Sequence, residues 1–421
     1  MSTQENRGWI VTWAGTGINL ALGVLYAWSV IAKQLTASWG WSASQASLPY
    51  AIACGVFAVT MVFAGRAQDK VGPKIVAGLG GALTGIGLII ASFASQNNPF
   101  LVILGFGILA GTGIGLGYAS ATPPAVKWFP PAKKGLITGL VVSGFGLASV
   151  YIAPLTNKLL VSFGINKTFM FLGIGFFIVT VILSQLLVNP PAGYVPQGTV
   201  APSKTTSTAG KKNDYEWQEM IKTPQFFLLW IMFAFASFAG LMIIGHMAKI
   251  AAKSLPDATT LSFILVAILA IGNASGRIMA GIVSDKIGRS KTMLLVFIAQ
   301  ALFMAFFPKF NTENLLLFGA AAVGFNYGAN LSLFPSITYD FFGTKNGGVN
   351  YGLVFTAWGV GGVFGSMTAG KIVDVTGSYN LAYMVAAILC ILAAALSFMI
   401  KAPKTIPVEQ PIVFQNNYKS N

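Results

Sequence analysis

Charge is scarce in this chain, and acid is scarcer than base. Only 9% of its 421 residues are Asp, Glu, Lys or Arg, where soluble domains carry about 25%. The 55% hydrophobic content and the mean hydropathy of +0.72 exclude a soluble domain and point to an integral membrane protein. Cysteine is nearly absent: Cys54 and Cys390 both lie in apolar stretches, which excludes a disulfide framework and a cysteine-based metal site. His246 is the single histidine. There is no H-E-x-x-H and no G-x-S-x-G elbow, so no metal, no cofactor and no enzymatic activity are expected. A net charge of +15 would suggest nucleic acid in a soluble protein. Here the lysines sit in short loops between apolar runs, so the excess is topological and no nucleic-acid partner is expected.

What the chain has in abundance is lipid-length apolar segments. A helical span needs about 20 apolar residues. Twelve such stretches are legible: Trp9–Ile31, Ala46–Ala64, Ile75–Ala94, Phe100–Thr122, Gly135–Leu155, Phe169–Val188, Phe226–Met247, Thr259–Val283, Thr292–Phe307, Asn314–Ile337, Gly347–Gly370 and Leu381–Ile400. The expected fold class is an all-α membrane protein with six spans in residues 1–188 and six in 224–401. Residues 189–223, rich in Pro, Ser, Thr and Lys, read as a soluble linker, and 402–421 as a short tail. Within the linker, Asp214–Ile221 could form a short helix on the membrane surface. The first apolar stretch has no small-residue cleavage site before or after it and reads as a retained span. Lys and Arg concentrate in the loops on the side of the N-terminus. By the positive-inside rule both termini face the cytoplasm of a cell (inner) membrane.

The two halves repeat. Gly65–Lys74 reads G-R-A-Q-D-K-V-G-P-K, and Gly281 opens G-I-V-S-D-K-I-G-R-S-K. Asp69 and Asp285 each follow the second span of their half. Parallel six-span repeats with a binding site between them are a transporter architecture. The duplicated G-x-x-x-D-K-x-G-x resembles the signature loop of the major facilitator superfamily. That resemblance implies two pseudo-symmetric six-helix bundles. Gly65, Asp69, Gly281 and Asp285 are the signature positions.

The eighth span carries Arg277, the one charge inside it. Such a charge costs about 2.5–3.5 kcal/mol at a helix centre by insertion scales, so it is a functional-site candidate. Its planar fork of donors suits a carboxylate. The competing reading is that its long side chain snorkels to the interface. Asn273 lies one turn earlier on the same face. No Asp or Glu falls in a span core; Asp257, Asp285 and Asp340 sit at ends or loops. His246, near the outer end of span seven, is therefore a candidate proton carrier, since it titrates near neutrality; the alternative is an interfacial histidine with no role. The glycine runs Gly105–Gly117 and Gly359–Gly365 lie within spans, so they read as close inter-helix packing rather than nucleotide loops.

A closer resemblance is carried by K-W-F-P-P-A-K-K-G-L-I-T-G (Lys127–Gly139), K-T-P-Q-F-F-L-L-W (Lys222–Trp230), F-P-S-I-T-Y-D-F-F-G-T-K-N-G-G-V-N-Y-G (Phe334–Gly352) and N-A-S-G-R…S-D-K-I-G-R. Together they resemble the oxalate:formate antiporter branch and its relatives, the monocarboxylate transporters. The likeness is greatest to bacterial monocarboxylate transporter homologues of the L-lactate/proton symporter type. The resemblance implies that Arg277 binds the substrate carboxylate, that Tyr118 contacts substrate, and that Tyr327 and Phe355 line the site. Asn273 stands where animal monocarboxylate transporters have an aspartate, and a neutral amide holds no proton at neutral pH. Trp358 stands where the oxalate carriers have a lysine, Leu25 where they have a glutamine, and Leu331 where they have a tyrosine. One cation in place of two suits a monoanion. The expected function is alternating-access transport of a small monocarboxylate, L-lactate or pyruvate, with a proton carried by His246 or with the acid at Arg277, by a monomer in the lipid bilayer. The alternative is exchange of one carboxylate for another.

Overall fold

The computed structural model describes residues 3–130, 133–191, 193–196, 214–254, 261–343 and 346–403. They form helices α1 (Thr3–Leu22), α2 (Trp28–Trp39), α3 (Ala43–Val71), α4 (Pro73–Ala91), α5 (Phe100–Val102), α6 (Gly111–Lys127), α7 (Lys134–Ser184), α8 (Trp217–Met220), α9 (Pro224–Ser254), α10 (Leu261–Ile287), α11 (Arg289–Phe306), α12 (Glu313–Phe342), α13 (Gly347–Thr376) and α14 (Asn380–Ser397). There is no strand among the described residues. α1 and α2 make one pass through the 3₁₀ stretch Gly23–Ala27, and α5 and α6 make another through the π-helical stretch Ile103–Ala110.

Among the described residues eleven helices are long and apolar enough to cross a membrane, and one of them contains two passes. In α7, Gly164 has φ 75° and ψ 179°, so the helix turns back on itself there. Twelve passes result, as expected. The fifth span, read from the sequence as ending at Leu155, is followed by Asn157 and Lys158. The helix continues regardless, since both residues are acceptable in a helix, and only the glycine breaks it. Of the expected linker, residues 197–213 lie outside the described residues, as do residues 404–421 of the tail and the Asp257 loop. The linker's end is α8, closed by a reciprocal capping box between Glu216 and Glu219. The Tyr215 backbone ties it down: its N–H donates to the Phe342 carbonyl, and its carbonyl accepts from Asn346 and Asn350.

The repeat is structural as well as textual. After α3, Gly72 has φ 99° and ψ 150°; after α10, Gly288 has φ 94° and ψ 152°. These turns need a positive φ, which only glycine adopts without strain. Asp285 pairs with Arg289 at 2.7 Å, and Arg289 also reaches Asp340 of α12 at 3.1 Å. We call this end of the molecule the turn end and the opposite one the far end.

Packing between helices is close where glycine permits it. A Cβ on Gly276 would lie 1.9 Å from the Phe325 carbonyl oxygen, and one on Gly328 1.9 Å from that of Asn273. α10 and α12 therefore touch backbone to backbone on either side of the Asn273–Arg277 turn. The glycine runs of α6 and α13 pack the same way: Gly113 lies on Gly80 of α4 and Gly361 on Ala234 of α9. The first six passes meet the last six along three seams, α3 on α13, α7 on α10 and α2 on α9. Large apolar side chains such as Ile75, Phe93, Ile182 and Met384 stand exposed on the lateral faces, where lipid would cover them.

Candidate functional site

Arg277 turns inward and does not snorkel: it is only 8% exposed. Its Nε donates to Asn273 Oδ1 at 3.0 Å, one helical turn earlier. Its Nη1 donates to the Val142 carbonyl of α7 at 3.0 Å. The guanidinium thus bridges the two halves, resting beside Gly146, where a Cβ would come within 3.5 Å of Nε. Nη2 is buried and has no partner, and neither has Nδ2 of Asn273. Buried polar groups in folded proteins are nearly always hydrogen-bonded. Two unsatisfied donors one turn apart therefore mark a place for an acceptor. The geometry restricts what Arg277 has to offer: Nε and one Nη1 proton are already committed, so an incoming acceptor meets Nη2 first.

Aromatic rings wall this place. Phe57 of α3 contacts Tyr118, Phe145, Phe355 and Trp358 with centroid separations of 5.5, 5.9, 5.6 and 5.1 Å. Tyr118 packs edge-on against Phe145, and Tyr26 does the same from the 3₁₀ stretch. Phe355 and Trp358 stack at 5.0 Å and 14°. The hydroxyl of Tyr118 lies close enough to the Arg277 guanidinium to interact with it.

A polar relay crosses the wall. Trp358 Nε1 donates to the Tyr327 hydroxyl at 2.7 Å, and the Tyr26 and Tyr327 hydroxyls lie 2.7 Å apart. Either tyrosine can donate in that pair. Only one of the two O–H protons is consumed, so one remains for a further acceptor. Tyr26 is within electrostatic reach of Arg277.

The structure brings Arg277, Asn273, Tyr118, Tyr327, Phe355 and Trp358 to one region between the halves. Leu25 is fully buried beside Tyr26 in the 3₁₀ stretch, and Leu331 is buried on α12. Sequence reasoning missed Tyr26, Phe57, Phe145 and the Val142 carbonyl. A hydroxyl inside a lipid-length span was a usable signal for Tyr26; nothing in the sequence marks a backbone carbonyl.

His246 is not part of this cluster. It is fully buried. Ser47 gives its own proton to the Ala43 carbonyl at 2.6 Å, so its Oγ, like the Ser366 carbonyl, is an acceptor for His246 Nε2, at 3.1 and 3.0 Å. Nδ1 then accepts from the Tyr379 hydroxyl at 3.0 Å. This network assigns a neutral ring protonated on Nε2. The contacts belong to a clasp at the far end. Asp374 of α13 accepts from the backbone N–H groups of Ala43 and Ser44 at 2.7 and 2.9 Å, and Ser42 caps the next donor, Gln45. A carboxylate at a helix N-terminus is favoured by the unsatisfied amides and the helix dipole. Nearby, Lys33 of α2 donates to Ser262 of α10 at 2.8 Å. Gly65 and Gly281 sit at the turn end, where Asp285 is ion-paired and Gly281 lies against Ser332. Among the described residues no His, Cys, Asp and Glu group could hold a metal.

Comparison with known proteins finds a model of the Major Facilitator Superfamily matching residues 10–255 and 234–414. An uncharacterized MFS-type transporter, YhjX of Escherichia coli (strain K12), is 32% identical over 365 residues, covering 86% of this chain and 87% of that protein. The oxalate:formate antiporter of Oxalobacter formigenes is 30% identical over 392 residues, covering 93% and 90%. Monocarboxylate transporter 13 of Rattus norvegicus is 26% identical, covering 87% and 82%. Among solved structures, an inward-facing, unoccupied bacterial homolog of the human lysosomal transporter Spinster matches with a TM-score of 0.65 at 18% identity, covering 95% and 97%.

Proposed function

The chain belongs to the Major Facilitator Superfamily and is a multi-pass membrane transporter, and from that premise we propose that it carries small monocarboxylates, L-lactate or pyruvate, with a proton. The observation that carries the proposal is the buried, unpartnered Nη2 of Arg277 between the halves, where Nη1 already holds the Val142 carbonyl. A single carboxylate would satisfy it. Two cations would suit a dianion, but Trp358 leaves one. The spare hydroxyl proton of the Tyr26–Tyr327 pair suits the 2-hydroxyl or 2-oxo group of lactate or pyruvate, which acetate lacks.

In this account the halves rock about the central site. Arg277 holds the first half through the Val142 carbonyl when the carrier is empty. The substrate carboxylate takes Nη2 and neutralises the guanidinium. Loop charge supports a cytoplasmic turn end and an outer far end. A proton arriving with the acid, or by way of His246, makes the loaded step electroneutral.

A second reading is carboxylate exchange, favoured by the 30% identity to an oxalate:formate antiporter and by a site without Asp or Glu. Purified protein in liposomes separates the two. An inward pH gradient alone should drive uphill uptake of labelled L-lactate. Uptake that requires carboxylate inside the vesicle and ignores the pH gradient would replace symport by exchange.

A further inference from the structure

A second inward-turned cation, Lys249, stands apart from the Arg277 site. Lys249 lies on α9, three residues after His246. The residue as a whole is partly exposed, yet its Nζ is buried and has no hydrogen-bond partner. This inverts the usual arrangement, in which a lysine stem lies along apolar surface and the ammonium reaches water. An ammonium has three donors and no acceptor. Turned inward without a partner, it lacks what buried charges normally require, an opposite charge and hydrogen bonds.

Among the described residues, the neighbouring elements do not supply one. Asp374 of α13 is within electrostatic reach of Lys249. Both of its oxygens are engaged by the α3 amides, and it makes no ion pair with the ammonium. Both His246 nitrogens are engaged, and Tyr379 donates to one of them. Lys33 at the same end is already bonded to Ser262. The clasp of α3, α9 and α13 therefore closes next to a cation that still needs an anion.

We propose that Lys249 is an outer carboxylate subsite, which rests on the reading that the protein carries monocarboxylates. When the clasp parts, the ammonium faces the outer water and takes the carboxylate of an incoming substrate, before the substrate passes inward to Arg277. One ammonium matches one carboxylate, and a point charge with rotatable donors suits a transient station better than a planar fork. On closure the substrate moves on, and Lys249 returns to the unpartnered state seen here. The subsite acts on entry from outside and plays no part in loading from the cytoplasm.

Transport in liposomes with the protein inserted in one orientation tests this. Lys249→Gln should raise the KM for L-lactate at the outer face about tenfold, the loss of one charge-assisted hydrogen bond. The KM for loading at the inner face should not change, and Lys249→Arg should restore the outer value. An unchanged outer KM, or an equal rise at both faces, would overturn the subsite while leaving the Arg277 site intact. A wild-type protein that moves no monocarboxylate would overturn both. A second measurement needs no variant: acylation of Lys249 by a membrane-impermeant amine reagent should be slowed by L-lactate and not by lactamide. Equal protection by the neutral amide, or none by lactate, also overturns the proposal.

Discussion

At the scale of single residues, Arg277 is held in place by two hydrogen bonds of different kinds. One, to Asn273, is local to the helix; the other, to the Val142 carbonyl, crosses between the halves. Arg277→Lys keeps the charge but cannot make both bonds and still present a free donor. It should cost roughly 2–3 kcal/mol of substrate binding, read as a 30- to 150-fold rise in the KM for L-lactate. A lysine variant with a wild-type KM would show that the fork is not used. Tyr327→Phe removes the acceptor for Trp358 Nε1 and the partner of the Tyr26 hydroxyl. Lactate uptake should weaken about tenfold, while acetate, with no 2-substituent to bond, should change little. Equal losses for both substrates would assign the relay to packing alone. The pairing of Asn273 with Arg277 could be read from a four-residue spacing. The aromatic partners Phe57 and Phe145 could not, because they reach the site from helices far away in sequence.

At the scale of elements, the passes themselves were the most legible feature, since lipid-length apolar runs leave little choice of structure. The duplicated G-x-x-x-D-K-x-G-x predicted matched turns, and Gly72 and Gly288 have nearly the same backbone conformation. Less legible was where a helix stops. Gly164, not the charge at Lys158, ends the fifth pass, because a positive φ breaks a helix and a lysine near the end of a pass does not. The depth of contact between α10 and α12 was likewise hidden, as composition gives the glycines but not what each one faces. Gly276→Ala would drive a methyl group into the Phe325 carbonyl. Since overpacking costs about 1–3 kcal/mol, the detergent-solubilised variant should melt several degrees lower and transport slowly. Gly281→Ala, with only the Ser332 hydroxyl at 3.2 Å, should melt close to wild type. Equal melting of the two variants would contradict the backbone-contact argument.

At the scale of the whole molecule, the halves are joined at the far end by the Asp374 clasp and in the middle by Arg277 on Val142. Rocking to open the far end must break the clasp. Asp374→Asn weakens two charge-assisted bonds and should shift the equilibrium toward the opened state about five- to tenfold. With the buried Cys54 and Cys390 replaced by serine, a cysteine placed at Ser262 should react faster by that factor with an impermeant maleimide. An unchanged rate would show that the clasp does not set the closed population. His246 illustrates what the sequence withheld at this scale. A lone histidine in a span marked a proton-site candidate, and nothing in the sequence told that its ring is tied into the seam by residues from α3, α13 and the turn before α14.

The central claim is that Arg277 binds one small monocarboxylate between the halves. Labelled L-lactate uptake into liposomes, by wild type and Arg277→Ala, with pyruvate and oxalate as competitors, tests it most directly. Wild-type uptake should be saturable and inhibited by pyruvate and not by oxalate, with none above background in the variant. Uptake by Arg277→Ala at the wild-type rate, or oxalate outcompeting pyruvate, would contradict it.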